Sequence, residues 1–200
     1  MGNSGERLKY PIDEAKYDWL PILLDAYHIA DTGIASELKK GEVKRKTKVT
    51  CQSQCSNCCL RPVIPVTELE LWGISWFASE KLQVHVRLVI KEQLLHHRQT
   101  PQCPFLFQSI CSIYPVRPLA CREFFMFGLP CKSNEHVEMT RPNDIWCHSR
   151  ELARRIAIVM LPYYGIKDMN QKIEAFKNGY IANISQPMHQ LPLERFASTM

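Results

Sequence analysis

The chain has 200 residues and a formal net charge of +5, and hydrophobic and charged residues make up 46% and 22% of it. Such a composition excludes an intrinsically disordered chain, and this length is sufficient for one domain with an apolar core. The longest apolar run, residues 156–161, is far shorter than the roughly 20 residues needed to cross a bilayer, so we expect no membrane span.

The first predicted element is helical. Residues 1–16 are polar, and we expect them to be poorly ordered. From Tyr17 to Leu38, apolar residues recur at helical spacing, with Pro21 in the first turn and Gly41 as the expected C-cap. We expect the stretch Asp31-Thr32-Gly33 to divide this segment into two helices.

A basic run follows at residues 39–48, with six basic residues against one acidic residue. We interpret it as a solvated helix end and linker. A docking patch for a protein partner is the first alternative. Contact with nucleic acid is the least favoured, because the run has no interleaved aromatic residues.

Two further helices are predicted in the middle of the chain. Thr67 and Glu70 have the spacing of a capping box, which opens an apolar helix that extends to Leu82. Apolar residues crowd nearly every face of that helix, so we expect it to be buried. The next helix runs from Val86 to His97, and we interpret His96 and His97 as its solvated end.

The rest of the chain is predicted to be irregular up to a last long helix. Residues 101–142 contain four cysteines and six prolines without a clean period, which indicates irregular chain. Asn143 is the expected N-cap of the long helix, which Pro162 ends. A short helix is predicted at 168–178, and the tail from Pro187 is expected to be extended.

These elements predict a mainly α fold, in which a helical scaffold surrounds an irregular, cysteine-rich metal-binding layer. No β pattern is convincing. We divide the chain into a polar N-terminus with a helical arm (1–46), a cysteine-cluster metal-binding domain (47–165), and a C-terminal helix and tail that pack on it (166–200).

Nine cysteines are the unusual feature of the composition. An odd number does not suit a complete disulfide framework, and no export signal is present, so we expect the reducing cytoplasm. Cys51, Cys55, Cys58 and Cys59 fall within nine residues, and their thiols can converge on one centre if the loop curls. Thiolates select zinc, copper(I) or iron–sulfur clusters. Buried free thiols and a local disulfide are the less favoured interpretations.

The second group is more widely spaced and consists of Cys103, Cys111, Cys121, Cys131 and Cys147. The gaps are too long for the tight knuckles of structural zinc sites. Together with the first group, these cysteines can complete a coordination sphere from a second segment of chain.

The combined motifs are specific. Cys51-x3-Cys55-x2-Cys58-Cys59, then Cys103-Pro-Phe-Leu, then Cys111-x9-Cys121-Arg-Glu-Phe closely resemble the YkgJ-type cysteine-cluster family, a zinc- or iron-chelating CxxCxxCC domain, over about residues 51–150. Flagellin lysine N-methylase shares this module, which implies an iron–sulfur cluster and, further, methyl transfer. The family pattern has fewer cysteines than this chain. Either Cys131, nearer the irregular layer, or Cys147, in the expected first turn of a helix, therefore lies outside the ligand set.

Two arginines close in sequence to the second group of cysteines would suit an iron–sulfur cluster. Tyr114 and the prolines around Arg117 form a stiff loop between Cys111 and Cys121. Arg117 and Arg122 are suited to lie beside an anionic iron–sulfur centre, whose potential nearby positive charge would tune. The alternative is that they pair with Glu123 or with backbone carbonyls.

We therefore expect a metal-binding protein whose centre, an iron–sulfur cluster of the 4Fe-4S type, is ligated by Cys51, Cys55, Cys58, Cys59, Cys103, Cys111, Cys121 and Cys131. Its expected role is redox or protein-modification chemistry with a protein partner. A zinc-stabilised interaction module and a methyl-transferring enzyme are the alternatives. The first three cysteines also match the spacing of radical-SAM enzymes, but the strands of a β/α barrel are not predicted. Whether the protein is an enzyme stays open, and no catalytic residue is assigned.

Overall fold

The long helix α2 (Trp19–Arg45) lies at the centre of the molecule. In the computed structural model, which describes residues 5–52, 55–60, 63–132 and 135–200, this helix is continuous. The expected division at Asp31-Thr32-Gly33 and the expected C-cap at Gly41 are both wrong. Lys46, in the left-handed conformation with φ of 51°, caps the helix instead.

The two glycines of α2 have a packing reason. A Cβ on Gly33 would lie 2.3 Å from Leu152 Cδ1, and a Cβ on Gly41 would lie 2.8 Å from the Phe127 ring. Each glycine therefore lets another part of the chain approach the helix backbone closely. Local sequence signals alone cannot distinguish this role from a helix break.

Shorter helices surround α2, which packs most extensively along α7 (Arg150–Met160). They are α1 (Pro11–Lys16), α3 (Glu68–Glu80), α4 (Val84–Leu95), α5 (Leu119–Arg122), α6 (Val137–Thr140), α7 (Arg150–Met160), α8 (Met169–Lys177), α9 (Tyr180–Ile184) and α10 (Glu194–Thr199). Two small antiparallel sheets pair β1 (Pro65–Val66) with β4 (Gln186–Pro187), and β2 (Leu106–Phe107) with β3 (Ile110–Cys111). The expectation of a mainly α fold is confirmed.

Helix α3 begins at the predicted capping box. The Thr67 side chain accepts a hydrogen bond from the backbone N–H of Glu70, and the Glu70 carboxylate accepts one from the backbone N–H of Thr67. The other oxygen of Glu70 accepts a 2.7 Å hydrogen bond from the backbone N–H of Leu119, the first residue of α5. Burial raises the pKa of this carboxyl group. One side chain thus joins the starts of two helices. Most of α3 is buried, but Trp72 is 52% exposed.

Three further expectations are wrong because distant segments supply the contacts. Ser149, not Asn143, caps α7 by accepting from the backbone N–H of Leu152, since the residues before it are drawn into an extended bridge between Met126 and Ile145. The tail is not extended. It forms α10, and Ala197 on that helix and Leu193 just before it are buried.

His97 is the third. It is 2% exposed, and its two ring nitrogens lie 2.8 Å and 3.1 Å from the carbonyl oxygens of Leu94 and Leu191. The C-terminal segment covers it.

At the other end of the chain, Arg7 is ion-paired with Glu14 and Asp25, so part of the segment expected to be poorly ordered is tied to α2. Residues 1–4 lie outside the described part of the chain.

Among the described residues, no helix combines the length and the apolar character that crossing a membrane requires.

Replacing Glu70 tests its double role. We expect Glu70→Ala to lower the free energy of unfolding by about 2 kcal/mol, because the backbone N–H groups of Thr67 and Leu119 lose their acceptor while they stay buried or half-buried. Urea unfolding measures the change. Glu68→Ala, at an exposed position of the same helical turn, is the control and should change stability by less than about 0.5 kcal/mol. Equal effects of the two substitutions would contradict this assignment.

Candidate metal centre

Eight cysteines line a single cavity of about 720 Å³ that opens to solvent. They are Cys51, Cys55, Cys58, Cys59, Cys103, Cys111, Cys121 and Cys131. Its walls are otherwise largely apolar, with Phe105, Ile113, Phe124 and Phe125 among the lining residues. The ninth cysteine, Cys147, is exposed and does not line this cavity. All nine are free thiols.

The first group of cysteines sits on a loop that leads into a 3₁₀ turn. The backbone N–H of Cys55 donates to the carbonyl of Gln52, and the turn Asn57–Leu60 presents Cys58 and Cys59 in succession. Cys51 is fixed from the other side, because its thiol accepts a 3.3 Å hydrogen bond from the backbone N–H of Met126. Residues 53–54 of the loop lie outside the described part of the chain.

The β2–β3 hairpin positions two more thiols. Cys111 pairs with Leu106 across the hairpin, and the backbone N–H of Leu106 donates to the carbonyl of Cys103. Gln108 and Ser109 make the tight turn with positive φ values of 48° and 62°. The backbone N–H of Cys103 then donates a 2.8 Å hydrogen bond to the carbonyl of Cys59, which joins the hairpin to the first group.

Cys121 lies on the short helix α5, whose start Glu70 holds. Immediately after Cys121, the buried Arg122 guanidinium donates to the carbonyl oxygens of Arg117 and Pro115, at 2.9 Å and 2.6 Å. The same group pairs with Asp31 at 2.6 Å and stacks on the Tyr27 ring at 3.9 Å. Arg122 thereby ties the loop before Cys121 to α2.

The two predicted arginines thus have different surroundings. Arg117 lines the cavity and lies over the Tyr114 ring, with its guanidinium carbon 3.8 Å from the ring centroid. Arg122 is not a lining residue. For Arg122 the structure shows the alternative foreseen from the sequence, the capping of backbone carbonyls. It adds an ion pair with Asp31 of α2, which is too distant in the chain for a local motif to indicate.

Cys131 comes from a separate loop beyond α5. Its carbonyl oxygen accepts a 3.0 Å hydrogen bond from the Asn57 side chain, so the loop is attached to the turn that bears Cys58 and Cys59. Further along this loop, Glu135 forms an ion pair with Arg141 at 2.9 Å. Hydrogen bonds from the Arg141 side chain and the backbone of Lys132 lower the pKa of Glu135 to about 2.

Burial makes these thiols hard to ionise. Desolvation is the main cause that raises the pKa of Cys51 to about 11 and that of Cys103 to about 12, and it also raises those of Cys111, Cys121 and Cys131. The pKa of Cys58 is raised chiefly by a hydrogen bond with the Cys59 thiol. A bound cation would reverse this balance, since metal binding to thiols releases their protons.

Within the described residues, no group of three or more His, Cys, Asp or Glu side chains could hold a metal ion as it stands. The expected convergence of the first four thiols on one centre is therefore not seen. Ligands of one tetrahedral zinc ion must lie about 4 Å apart, given zinc–sulfur bonds of about 2.3 Å. As donors, soft thiolates nevertheless suit both zinc and iron.

Several lining residues were not predicted from the sequence. Phe124 and Phe125 adjoin Cys121 in the chain, so their place beside the thiols had a local clue. Met188 and Val137 come from distant segments and had none. Neither Cys147 nor the adjacent His148 lines the cavity, and the His148 ring lies 3.5 Å from the Glu123 carboxylate.

Residues 50–148 match the model of the CxxCxxCC family, described as a "putative zinc- or iron-chelating domain". The matched segment contains all eight cavity-lining cysteines and Cys147. No curated protein and no solved structure matches the chain.

Arg122 should be a main support of the cavity wall. We expect Arg122→Met to lower the free energy of unfolding by about 3 kcal/mol, because the substitution leaves two carbonyl oxygens without their donor and breaks an ion pair whose guanidinium is buried. Chemical denaturation of the purified protein measures this. Arg154→Met removes an exposed ion pair with Glu151 and should cost less than about 1 kcal/mol. A loss at Arg122 no larger than at Arg154 would show that the interaction is not structural.

Proposed function

Because residues 50–148 belong to the CxxCxxCC family, we propose that the cysteine-lined cavity holds a thiolate-ligated iron–sulfur cluster, of the 4Fe-4S type, that serves redox or protein-modification chemistry with a protein partner. The observation that carries this proposal is the gathering of eight free thiols from four separate segments around one cavity. Packing alone does not explain such a collection, because of the eight only Cys103 is fully buried, as a cysteine with a pure packing role would be.

The size of the cavity favours a cluster over a single zinc ion. A structural zinc site is closed and uses four ligands, whereas eight thiols here surround about 720 Å³. An inorganic core of iron and sulfide is larger than one ion and would occupy more of this space. When bound, such a cluster accepts and donates single electrons.

The surroundings of the thiols suit a redox centre. Apolar walls from Phe105, Ile113 and Phe125 lower the local dielectric constant, and the Arg117 charge offsets the negative charge of thiolate ligands. Free thiols in this number fit a reducing compartment, so we place the protein in the cytoplasm.

The mouth of the cavity gives the reason to propose a protein partner. Val63, Ile110 and Tyr114 line the cavity and are 85%, 46% and 46% exposed. Apolar and aromatic side chains around an otherwise polar opening are typical of protein contact sites. A partner that covers them would also exclude water from the cavity.

Anaerobic purification tests the proposal directly. We expect a brown protein that contains iron and acid-labile sulfide in equal amounts, with a broad absorption band in the visible range. A colourless protein that carries stoichiometric zinc and does not take up iron and sulfide on reconstitution would reject the cluster and favour a zinc-stabilised interaction module.

Single substitutions connect that metal to the cavity. Cys121→Ser removes a thiol at the cavity wall, and we expect the variant to lose at least about half of the bound metal and several degrees of thermal stability. Cys147→Ser changes an exposed cysteine away from the cavity and should retain both. Unchanged metal content in the Cys121 variant would overturn the assignment.

Arg117 should tune the potential of the centre. Arg117→Gln removes a positive charge at the cavity wall, and the reduction potential should fall by roughly tens of millivolts, because the added electron loses a nearby cation. A spectroscopic redox titration measures the shift. Arg98→Gln, at an exposed position just beyond α4, is the matched control and should leave the potential unchanged.

A further inference from the structure

The basic run at residues 39–48 is fixed to the rim of the cysteine-lined cavity. Just after the end of α2, the carbonyl of Lys48 accepts a 3.0 Å hydrogen bond from the backbone N–H of Gly128, and the backbone N–H of Thr50 donates a 2.8 Å hydrogen bond to the carbonyl of Met126. The residue that follows this short ladder is the first cysteine of the cavity lining. We call residues 39–48 the basic end.

The helical part of the basic end packs on the same segment. The Arg45 guanidinium lies over the Phe127 ring, 4.5 Å from its centroid, and donates a 2.6 Å hydrogen bond to the carbonyl of Asn143. Gly41 allows the Phe127 ring to approach the helix backbone closely. The basic end is therefore held in a defined position beside the cavity, whereas the sequence alone favoured a solvated helix end and linker.

Acidic side chains near the basic end are mostly engaged by other residues of the chain. Glu42 pairs with Lys48 at 3.2 Å and also accepts a hydrogen bond from a backbone N–H. Glu135 and Asp144 both pair with Arg141, at 2.9 Å and 3.1 Å. These carboxylates are consequently little available to neutralise the remaining cations.

Four lysines of the basic end are exposed and form no ion pair within the described part of the chain: Lys39, Lys40, Lys44 and Lys46. Lys132, which lines the cavity, is exposed as well, and the exposed carboxylate of Glu138 on the same lining offsets one charge. The rim on this side of the cavity thus has a net positive charge.

Exposed apolar side chains accompany these cations. Val43 lies in the last turns of α2, and Leu129 follows the glycine that bonds to Lys48. Apolar side chains surrounded by charged ones are typical of protein contact sites, whereas sites for single-stranded nucleic acid rely on aromatic side chains that stack on bases. The basic end contains no aromatic residue, so the combination favours a protein.

We propose that the basic end, together with Leu129, is the docking surface for an acidic protein that carries a one-electron redox group. The redox group of the partner rests on the proposed function, whereas its negative charge follows from the surface itself. Long-range attraction would speed the encounter and orient the partner toward the cavity. One electron would pass from the reduced partner to the bound centre, which oxidises the partner and reduces the centre by one electron.

Binding of a purified plant-type ferredoxin, an acidic one-electron carrier, tests the proposal. The full chain is titrated with it by calorimetry under reducing conditions at low ionic strength. We expect binding that weakens as salt is added, because counterions screen exposed charges. In the variant Lys44→Glu/Lys46→Glu the affinity should fall by at least about tenfold. Both side chains are exposed, so we expect this variant to fold normally.

The matched control is Lys167→Glu/Lys177→Glu, which changes the net charge equally at exposed positions that do not line the cavity. Its affinity should stay within about twofold of the wild-type value. Carbodiimide cross-linking, which joins lysine amines to carboxylates in contact, should link the ferredoxin to Lys44, Lys46 or Lys132. Equal losses in the two variants, or links mainly at Lys167 and Lys177, would overturn the docking surface.

Two other ligands are measured in the same way. Stronger binding of a single-stranded RNA oligonucleotide, or of vesicles that contain phosphatidylserine, than of the ferredoxin would also reject an acidic protein as the occupant.

The outcomes separate this inference from the proposed function. A chain that holds an iron–sulfur cluster but shows no charge-dependent binding retains the proposed function and rejects the docking surface. Charge-dependent binding by a chain that takes up no metal centre would support the surface and reject its redox role together with the proposed function.

Discussion

Two buried charged side chains, Glu70 and Arg122, fix the cysteine-bearing loops to the helical scaffold. Glu70 completes the cap of α3 and accepts a hydrogen bond from the first N–H of α5. At the other end of α5, Arg122 reaches two loop carbonyls and Asp31 of α2. A buried charge is costly unless every polar atom has a partner, so both side chains permit essentially one arrangement of the loop between Cys111 and Cys121.

This arrangement explains how an irregular segment can have a defined shape. Residues between the β2–β3 hairpin and α7 form few backbone ladders of their own, and arginine side chains donate to several of their carbonyls. Arg141 holds the chain on both sides of Cys131, because it donates to the carbonyl oxygens of Leu129 and Pro130 and forms an ion pair with Glu135. The cavity is therefore enclosed by loops that are anchored from outside, which leaves the thiols free to face inward.

The cavity does not stabilise the charged form of its thiols in its own right. Burial raises the pKa values of Cys51 and Cys103, so these thiols stay protonated near neutral pH unless a cation is bound. A cation that binds several of them would supply the missing compensation, and its binding free energy would add to the free energy of folding. Function and stability would then share one physical basis, the charge brought into the cavity by the bound metal centre.

The sequence by itself determined the helical class, the capping box at Thr67 and Glu70, and the cysteine motif, because each depends on residues close together in the chain. Tertiary structure alone decided that Gly33 and Gly41 are contact points inside one helix, and that a C-terminal segment buries His97. It also brought Cys131 to the cavity and left Cys147 outside it. Such outcomes depend on which distant segment covers a residue, and local periodicity carries no information about that.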